Sequence, residues 1–280
     1  MLFVEPILLR YFLDREFEFN YFGIHIKAGV ADPTYRKLFF GQYEKVEFRL
    51  LKRFIKPEMV IYDIGAHHGL VSIRFAELLK GRGSVYCFEP VVDNYNVLLE
   101  NIRRYKYRDI FIPSNTAISS SSEPLKLGLG PLDAVSSKGS GFFSKFSKNN
   151  TVEVSAIEIN SLIAQANLVD LIKLDIEGME EEIILNLTKS NLHKIKLLIF
   201  EFAVKSGGYS KSQIETINYL QNENFDVRRK VLGISGRVTG GLTPIRLIKL
   251  LSLTLRIFNL LTRKPAITTV NFFAWNLEHQ

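Results

Sequence analysis

From Val60 to Trp275, short apolar runs alternate with amphipathic segments, and this alternation restricts the chain more than any other feature. Strand patterns at Val60 to Ile64, Ser84 to Phe88, Ile110 to Pro113, Val152 to Ser155, Leu171 to Asp175 and Leu197 to Glu201 interleave with helix patterns. The helices are expected at Leu70 to Leu79, Asp93 to Arg104, Ile159 to Gln165, Glu180 to Leu187 and Lys211 to Glu223. A last strand pair, Phe225 to Val231 and Thr268 to Trp275, is split by a long excursion. Strands that are apolar along their whole length, joined by helices, belong to a parallel sheet covered on both faces. The chain is therefore read as α/β.

The 280 residues divide into an N-terminal elaboration, 1–56, and one catalytic-sized domain, 57–280. The elaboration ends in a lead-in helix over Gly41 to Ile55, in which Val46, Leu50, Leu51 and Phe54 recur at three- and four-residue steps. Within the domain, Ser, Gly and Lys crowd residues 119–150, and a lid loop is expected over 130–150. The excursion over 232–267 is expected to be helical. A hydrophobic fraction of 46% is enough for a sizeable core, and disorder is not the default. The single cysteine, Cys87, lies in an apolar strand pattern; it has no internal disulfide partner and should pack as a small hydrophobe in a reducing compartment. The first residues lack a basic segment and a small-residue cleavage site, and no run of ~18 uncharged apolar residues occurs. The expectation is a cytoplasmic protein without a spanning helix.

The first central strand runs into two glycines and two histidines, VIYDIGAHHG, Val60 to Gly69. Glycine after a strand permits positive φ and close approach of backbone to a ligand. A dinucleotide pyrophosphate needs G-x-G-x-x-G at a helix N-terminus, free of nearby negative charge. Here the spacing is D-x-G-x-x-x-G, and Asp63 suits a sulfonium or ammonium group better than a dianion. The neighbouring strand ends in FEP, placing Glu89 20 residues after Gly69, where an acid accepts ribose hydroxyls. These features favour S-adenosylmethionine as cofactor, with a nicotinamide-dependent oxidoreductase as the alternative. If His67 and His68 open the following helix, their side chains diverge by ~100° and one of them is structural.

A second carboxylate cluster, LDIEGMEEE, puts Asp175 at a strand end, Glu177 in the turn and Glu180 in the first turn of a helix. Glu181 and Glu182 there complement the helix dipole and need no other role. Asp175 is different, because the carboxyl edge of an open α/β sheet is where ligands sit. A transfer that releases a proton from its acceptor is helped by a positioned base. The candidates are Asp175, Glu177, His67, His68 and Glu201.

These motifs, with NYNVLLENI (Asn94 to Ile102), NTAIS (Asn115 to Ser119) and IFEF (Ile199 to Phe202), resemble the FkbM family of S-adenosylmethionine-dependent methyltransferases. The likeness covers roughly residues 40 to 230 and the last strand. It implies a class I methyltransferase, Rossmann-like fold with a seven-stranded, mostly parallel sheet whose last strand is antiparallel, and O-methyl transfer to a sugar or related small molecule. It implies cofactor contacts from Asp63, Gly65, Ala66, His67, Gly69, Glu89, Pro90, Asn94, Asn115, Ala117 and Asp175, with Asp175 and Glu177 at the donor and acceptor junction. Where the family usually reads G-A-N-x-G, this chain has His67.

The net charge of +7 calls for an anionic partner. Thr243 to Pro265 supplies one explanation: Arg246, Lys249, Arg256 and Arg263 gather on one helical face opposite Leu247, Leu251, Leu255 and Phe258. Such a helix either packs its apolar face on the domain or lies in the headgroup region of an anionic membrane, which would make the protein peripheral and a glycolipid a natural acceptor. Nucleic acid is the weaker partner, because the mixed basic and aromatic stretches NIRRYKYR and SKFSK belong to no nucleic-acid module. No metal is expected, since His25, His193 and His279 sit in no ligand-spaced motif. A non-catalytic membrane-associated binding protein of this fold is the remaining alternative.

Overall fold

The structure, a computed structural model, describes residues 16–29, 51–128, 151–176, 178–204, 208–230 and 268–279. Among these the chain opens with a hairpin, β1 (Glu16–Tyr21) and β2 (Ile24–Gly29), and then enters the alternating region. There β3 (Val60–Ile64), α1 (Leu70–Leu79), β4 (Ser84–Phe88), α2 (Val92–Arg104) and β5 (Phe111–Ser114) follow in turn. Four short strands come next, β6 (Ala117–Ser119), β7 (Leu125–Gly128), β8 (Thr151–Val154) and β9 (Ala156–Glu158), and then α3 (Ile159–Ala164). The second half consists of β10 (Val169–Leu174), α4 (Glu180–Asn186), α5 (Lys189–Leu192), β11 (Ile195–Val204), α6 (Lys211–Asn222), β12 (Phe225–Lys230) and β13 (Thr268–Asn276).

Seven strands form one sheet in the order β12-β13-β11-β10-β3-β4-β5. Pairing is parallel from β11 through β5, and β13 runs antiparallel to both β11 and β12. The expected sheet, with its last strand reversed, is thus present. Side chains alternate across the strands as the pleat requires. Ile61, Val85, Cys87, Leu171 and Leu197 join one apolar layer with α1 and α2, while Ile64, Phe88, Ile172, Leu198 and Phe200 join the other with α3, α4 and α6. Cys87 packs there as a small, fully buried hydrophobe.

Local chemistry sets the helix ends. Asp93 in the first turn of α2 and Arg103 and Arg104 in its last turn complement the helix dipole. Ser210 and Gln213 form a reciprocal capping box on α6. Two expectations need revision. Val152 to Ser155 does not extend the main sheet; β8 pairs antiparallel with β7 in a separate ribbon, and β9 pairs with β6. The N-terminal segment contains a hairpin that helical periodicity did not anticipate: Tyr21, Ile24 and Ile26 pack into the α1 layer, and the Tyr21 hydroxyl donates to the Leu70 carbonyl at 3.2 Å. Of the lead-in helix only its end is described, with residues 51–54 helical. The lid over 130–150 and the excursion over 232–267, with Arg246, Lys249, Arg256 and Arg263, lie outside the described residues, as does Glu177.

Candidate active site

Five adjacent strands bring their carboxyl ends to one line. Ile64 pairs with Phe88 and with Leu174, Phe88 with Ser114, and Leu174 with Phe200. The next residue on each strand, Asn115, Glu89, Gly65, Asp175 and Glu201, therefore stands in a single row along the sheet edge. The backbone ladder runs on into this row: Gly65 and Ala66 both donate to the Phe88 carbonyl, at 2.9 and 3.0 Å, Glu89 to Ser114 at 3.1 Å, and Asp175 to Ile64 at 3.0 Å. After β3 the chain builds outward through β4 and β5, and only later returns to place β10 on the other side of β3. A crevice between β3 and β10 is the position at which open α/β sheets hold ligands.

The β3–α1 loop is shaped by the protein's own contacts. Gly65 has φ +83°, and a Cβ there would lie 1.9 Å from the Asp175 carbonyl oxygen; Gly69 has φ +77° and abuts Leu98. His67 also has positive φ, 50°. Asparagine, aspartate and histidine are the non-glycine residues most often found in this region, so His67 and the family's asparagine are both suited to this backbone. The two histidines precede α1 and do not open it, because Gly69 is its N-cap. Their rings consequently stack, with centroids 3.8 Å apart and planes inclined by 29°, where divergence was expected. Burial and the adjoining His68 ring push the His67 pKa down to about 3. His67 is therefore a neutral ring at ordinary pH and a weak proton acceptor.

Glu89, buried, ties the two loops together. Its Oε2 accepts the His67 N–H at 2.8 Å, and its Oε1 accepts the Val91 N–H at 2.9 Å and the Asn94 amide at 3.4 Å. Burial raises its pKa, against the lowering effect of these donors. Asn115 fixes the same turn by donating to the carbonyls of Glu89 at 2.8 Å and Pro90 at 3.1 Å. Ala117 is buried in β6, next to this turn in sequence, and its N–H donates to Ser155.

Asp63 differs from its expected placement. It is wholly buried beneath α1, with Oδ2 accepting the Ser72 hydroxyl at 2.5 Å and Oδ1 without a hydrogen-bond partner. Burial raises its pKa, while Lys173, its Cα partner on β10, acts in the opposite direction. Its influence on a ligand is thus through charge from below the loop, and not through direct contact.

On the other side of the crevice, the Asp175 side chain is 39% exposed and its Oδ2 accepts from Lys173 Nζ at 2.8 Å. The following turn is held by Glu180, whose two oxygens accept the N–H groups of Ile176 at 2.9 Å and Gly178 at 3.0 Å. Glu180 is 4% exposed, and burial drives its pKa up to about 7 despite those donors. Lys173 and Ser72 were not singled out from sequence, and Glu180 was placed in the first turn of its helix without a role in the site. Lys173 carries the one available signal, a charge inside the apolar run LIKL, which demands a buried counter-ion.

The residues present fit S-adenosylmethionine better than a dinucleotide. The amides of Gly65, Ala66, His67 and Gly69 are spent on protein acceptors, so these four are not free to cradle a pyrophosphate. Glu89 and Asp175 stand beside it and Asp63 lies buried beneath it, and such an acceptor-rich site suits a cofactor that carries a sulfonium and an ammonium.

Sheet order and site together define a class I methyltransferase, the class that uses S-adenosylmethionine. The sequence profile of the Methyltransferase FkbM domain matches residues 63–227, more than half of the chain, and the protein belongs to that family. Solved structures with a similar fold include a methyltransferase FkbM from Methylobacillus flagellatus KT, 15% identical with a TM-score of 0.46. That match covers 78% of this chain and 44% of the other, so this chain spans less than half of that protein. Precorrin-6y C5,15-methyltransferase from Geobacter metallireducens GS-15 matches at 14% identity and a TM-score of 0.45, over 84% of this chain and 89% of the other. Aeropyrum pernix fibrillarin, solved with natively bound S-adenosyl-L-methionine, matches at 12% identity and a TM-score of 0.42, over 82% and 74% of the two chains. No curated protein matches the sequence.

Proposed function

We propose that this methyltransferase acts on oxygen, transferring the methyl group to a hydroxyl of a sugar, glycolipid or related small molecule. Asp175 carries this assignment: a carboxylate ion-paired with Lys173, partly exposed at the crevice where donor and acceptor meet. When bound, S-adenosylmethionine supplies an electrophilic methyl group on a sulfonium. Gly65, Ala66, His67 and Gly69 shape the loop that receives it, with Asp63 beneath, and Glu89, with Pro90, Asn94, Asn115 and Ala117 behind it, faces the ribose. Most of the rate comes from holding the acceptor oxygen in line at near-attack distance. Asp175 takes the hydroxyl proton as the bond forms, a contribution of ~10²–10⁴-fold. Glu201, next in the row, assists in orienting the acceptor, and His67 ranks below both as a base because its imidazolium is disfavoured.

Among the described residues no helix is long and apolar enough to cross a membrane. The basic face of Arg246, Lys249, Arg256 and Arg263 supports a peripheral encounter with anionic lipid, and flotation with anionic vesicles tests it: equal recovery with and without residues 245–264 would remove this reading. For the reaction itself, calorimetry with S-adenosylmethionine, S-adenosylhomocysteine and NAD should show binding of the two adenosyl compounds only. Label transfer from methyl-labelled cofactor into fractionated glycolipids and free glycans then identifies the acceptor; label found only in RNA or protein would refute the glycan and glycolipid assignment, and label on nitrogen or carbon would refute the hydroxyl one.

A further inference from the structure

Lys173 is a buried charge whose part in the reaction goes beyond pairing with Asp175. It lies at mid-sheet on β10, 8% exposed, on the face covered by α1. Its side chain lies between two acids: it donates to Asp175 two residues along its own strand, and its Cα partner on β3 is Asp63. On its other side the Cα partner is the apolar Ile199. A buried ammonium is tolerated only when paired, and a carboxylate bonded to a fixed donor loses rotational freedom. The charged and titratable groups around the pair are Asp63 on β3, Cys87 on β4, His67 and His68 in the β3–α1 loop, Glu180 on α4 and Glu201 on β11.

The structure assigns Lys173 as a positioning residue for methyl transfer: its ammonium fixes the Asp175 carboxylate in the orientation from which that carboxylate takes the acceptor's proton. In that step the acceptor oxygen forms the new C–O bond, the methyl–sulfur bond breaks with its electron pair left on sulfur, and the hydroxyl proton passes to Asp175. Lys173 exchanges nothing. A donor bonded to one carboxylate oxygen holds the plane of the group, and a cation beside it opposes its protonation. This inference rests on the reading of Asp175 as the base.

Full-length Lys173→Met, Lys173→Arg and Asp175→Asn separate the two. Turnover is followed from about pH 5 to about pH 9 as label transfer into whichever glycan or glycolipid fraction wild type methylates, with cofactor affinity by calorimetry and the Asp175 carboxyl carbon titrated by NMR. Lys173→Met is expected to lose about 10²-fold in kcat with cofactor affinity nearly unchanged, and to move both the acidic limb and the Asp175 titration upward by about one pH unit or more. Lys173→Arg, which keeps the charge but not the reach, should keep the limb and recover part of kcat. An inactive Asp175→Asn beside a Lys173→Met variant with wild-type kcat and an unmoved limb would overturn the role of Lys173 alone. Full turnover by Asp175→Asn would instead remove the base, and the positioning role with it. If Lys173→Met does not fold, Lys173→Arg decides: a lowered kcat on an unmoved limb supports the assignment, and an unchanged kcat overturns it.

Discussion

Replacing Glu180 by Gln should change the pH dependence of stability in a defined direction. The Glu180 carboxyl is buried and titrates at about 7, against an ordinary value of 4.5. Because the folded pKa is the higher one, the folded state holds the proton where the unfolded chain has already released it, so stability from this group is complete below about pH 4.5 and lost as pH rises through about 7. A gap of about 2.5 units at 1.36 kcal/mol each corresponds to about 3 kcal/mol. Glutamine cannot ionise, and it removes this slope whatever it does to the absolute value; its amide can accept one of the two loop N–H groups and not both. Urea unfolding of wild type and Glu180→Gln at matched pH isolates the effect, since all other titrating groups are common to both. The difference in unfolding free energy between the two proteins should shift in favour of the variant by about 3 kcal/mol between about pH 4.5 and about pH 8. Two curves that stay parallel across that interval would refute the buried-acid account.

Two further substitutions test the loop. Gly65→Ala places a Cβ 1.9 Å from the Asp175 carbonyl oxygen at a φ of +83°, so it should cost several kcal/mol, about 3 or more, and abolish cofactor binding, read by thermal unfolding and calorimetry. At position 67, with φ 50°, Asn should preserve stability and cofactor affinity, whereas β-branched Val should lose about 1–2 kcal/mol and weaken the cofactor, because the strained backbone delivers the amide that Glu89 accepts.

The sheet was legible because its signals are local and repeated. Apolar runs of five or six residues bounded by Gly, Pro or Asp read as strands, and Val60–Ile64, Leu70–Leu79 and Ser84–Phe88 were placed to the residue. The antiparallel β13 was legible only through family likeness, since nothing in its own residues gives direction. The β1–β2 hairpin was not read, because its charged and aromatic residues alternate within a segment dominated by the hydrophobic N-terminus, and what holds it is a contact between Tyr21 and Leu70, 49 residues apart. The β7–β8 ribbon depends on the same kind of distant pairing, with Leu125 opposite Val154.

The site was legible as a set of positions and not as a set of contacts. Register carries Asn115, Glu89, Gly65, Asp175 and Glu201 to one row; Gly65, Glu89 and Asp175 were recognisable as residues at which an apolar run ends, while Asn115 came from the family likeness and Glu201 lies inside a longer strand. What those residues do there depends on atoms from elsewhere in the chain. Gly65 is a case in point. Its lack of a Cβ looked like room for a ligand, yet the atom that claims the room is the Asp175 carbonyl, which a side chain of any size would displace. The glycine therefore locks β3 to β10 at the crevice, and a side chain at position 65 would shift Asp175. Asp63 shows the same inversion. Its charge was read as lying beside the ligand and unfavourable to a pyrophosphate, but its hydrogen bond to Ser72 places it under the loop. Burial works against the ionised form of Asp63 and the Lys173 ammonium, its Cα partner on β10, works for it, so the balance that decides this charge is struck within the sheet and not by contact with a ligand.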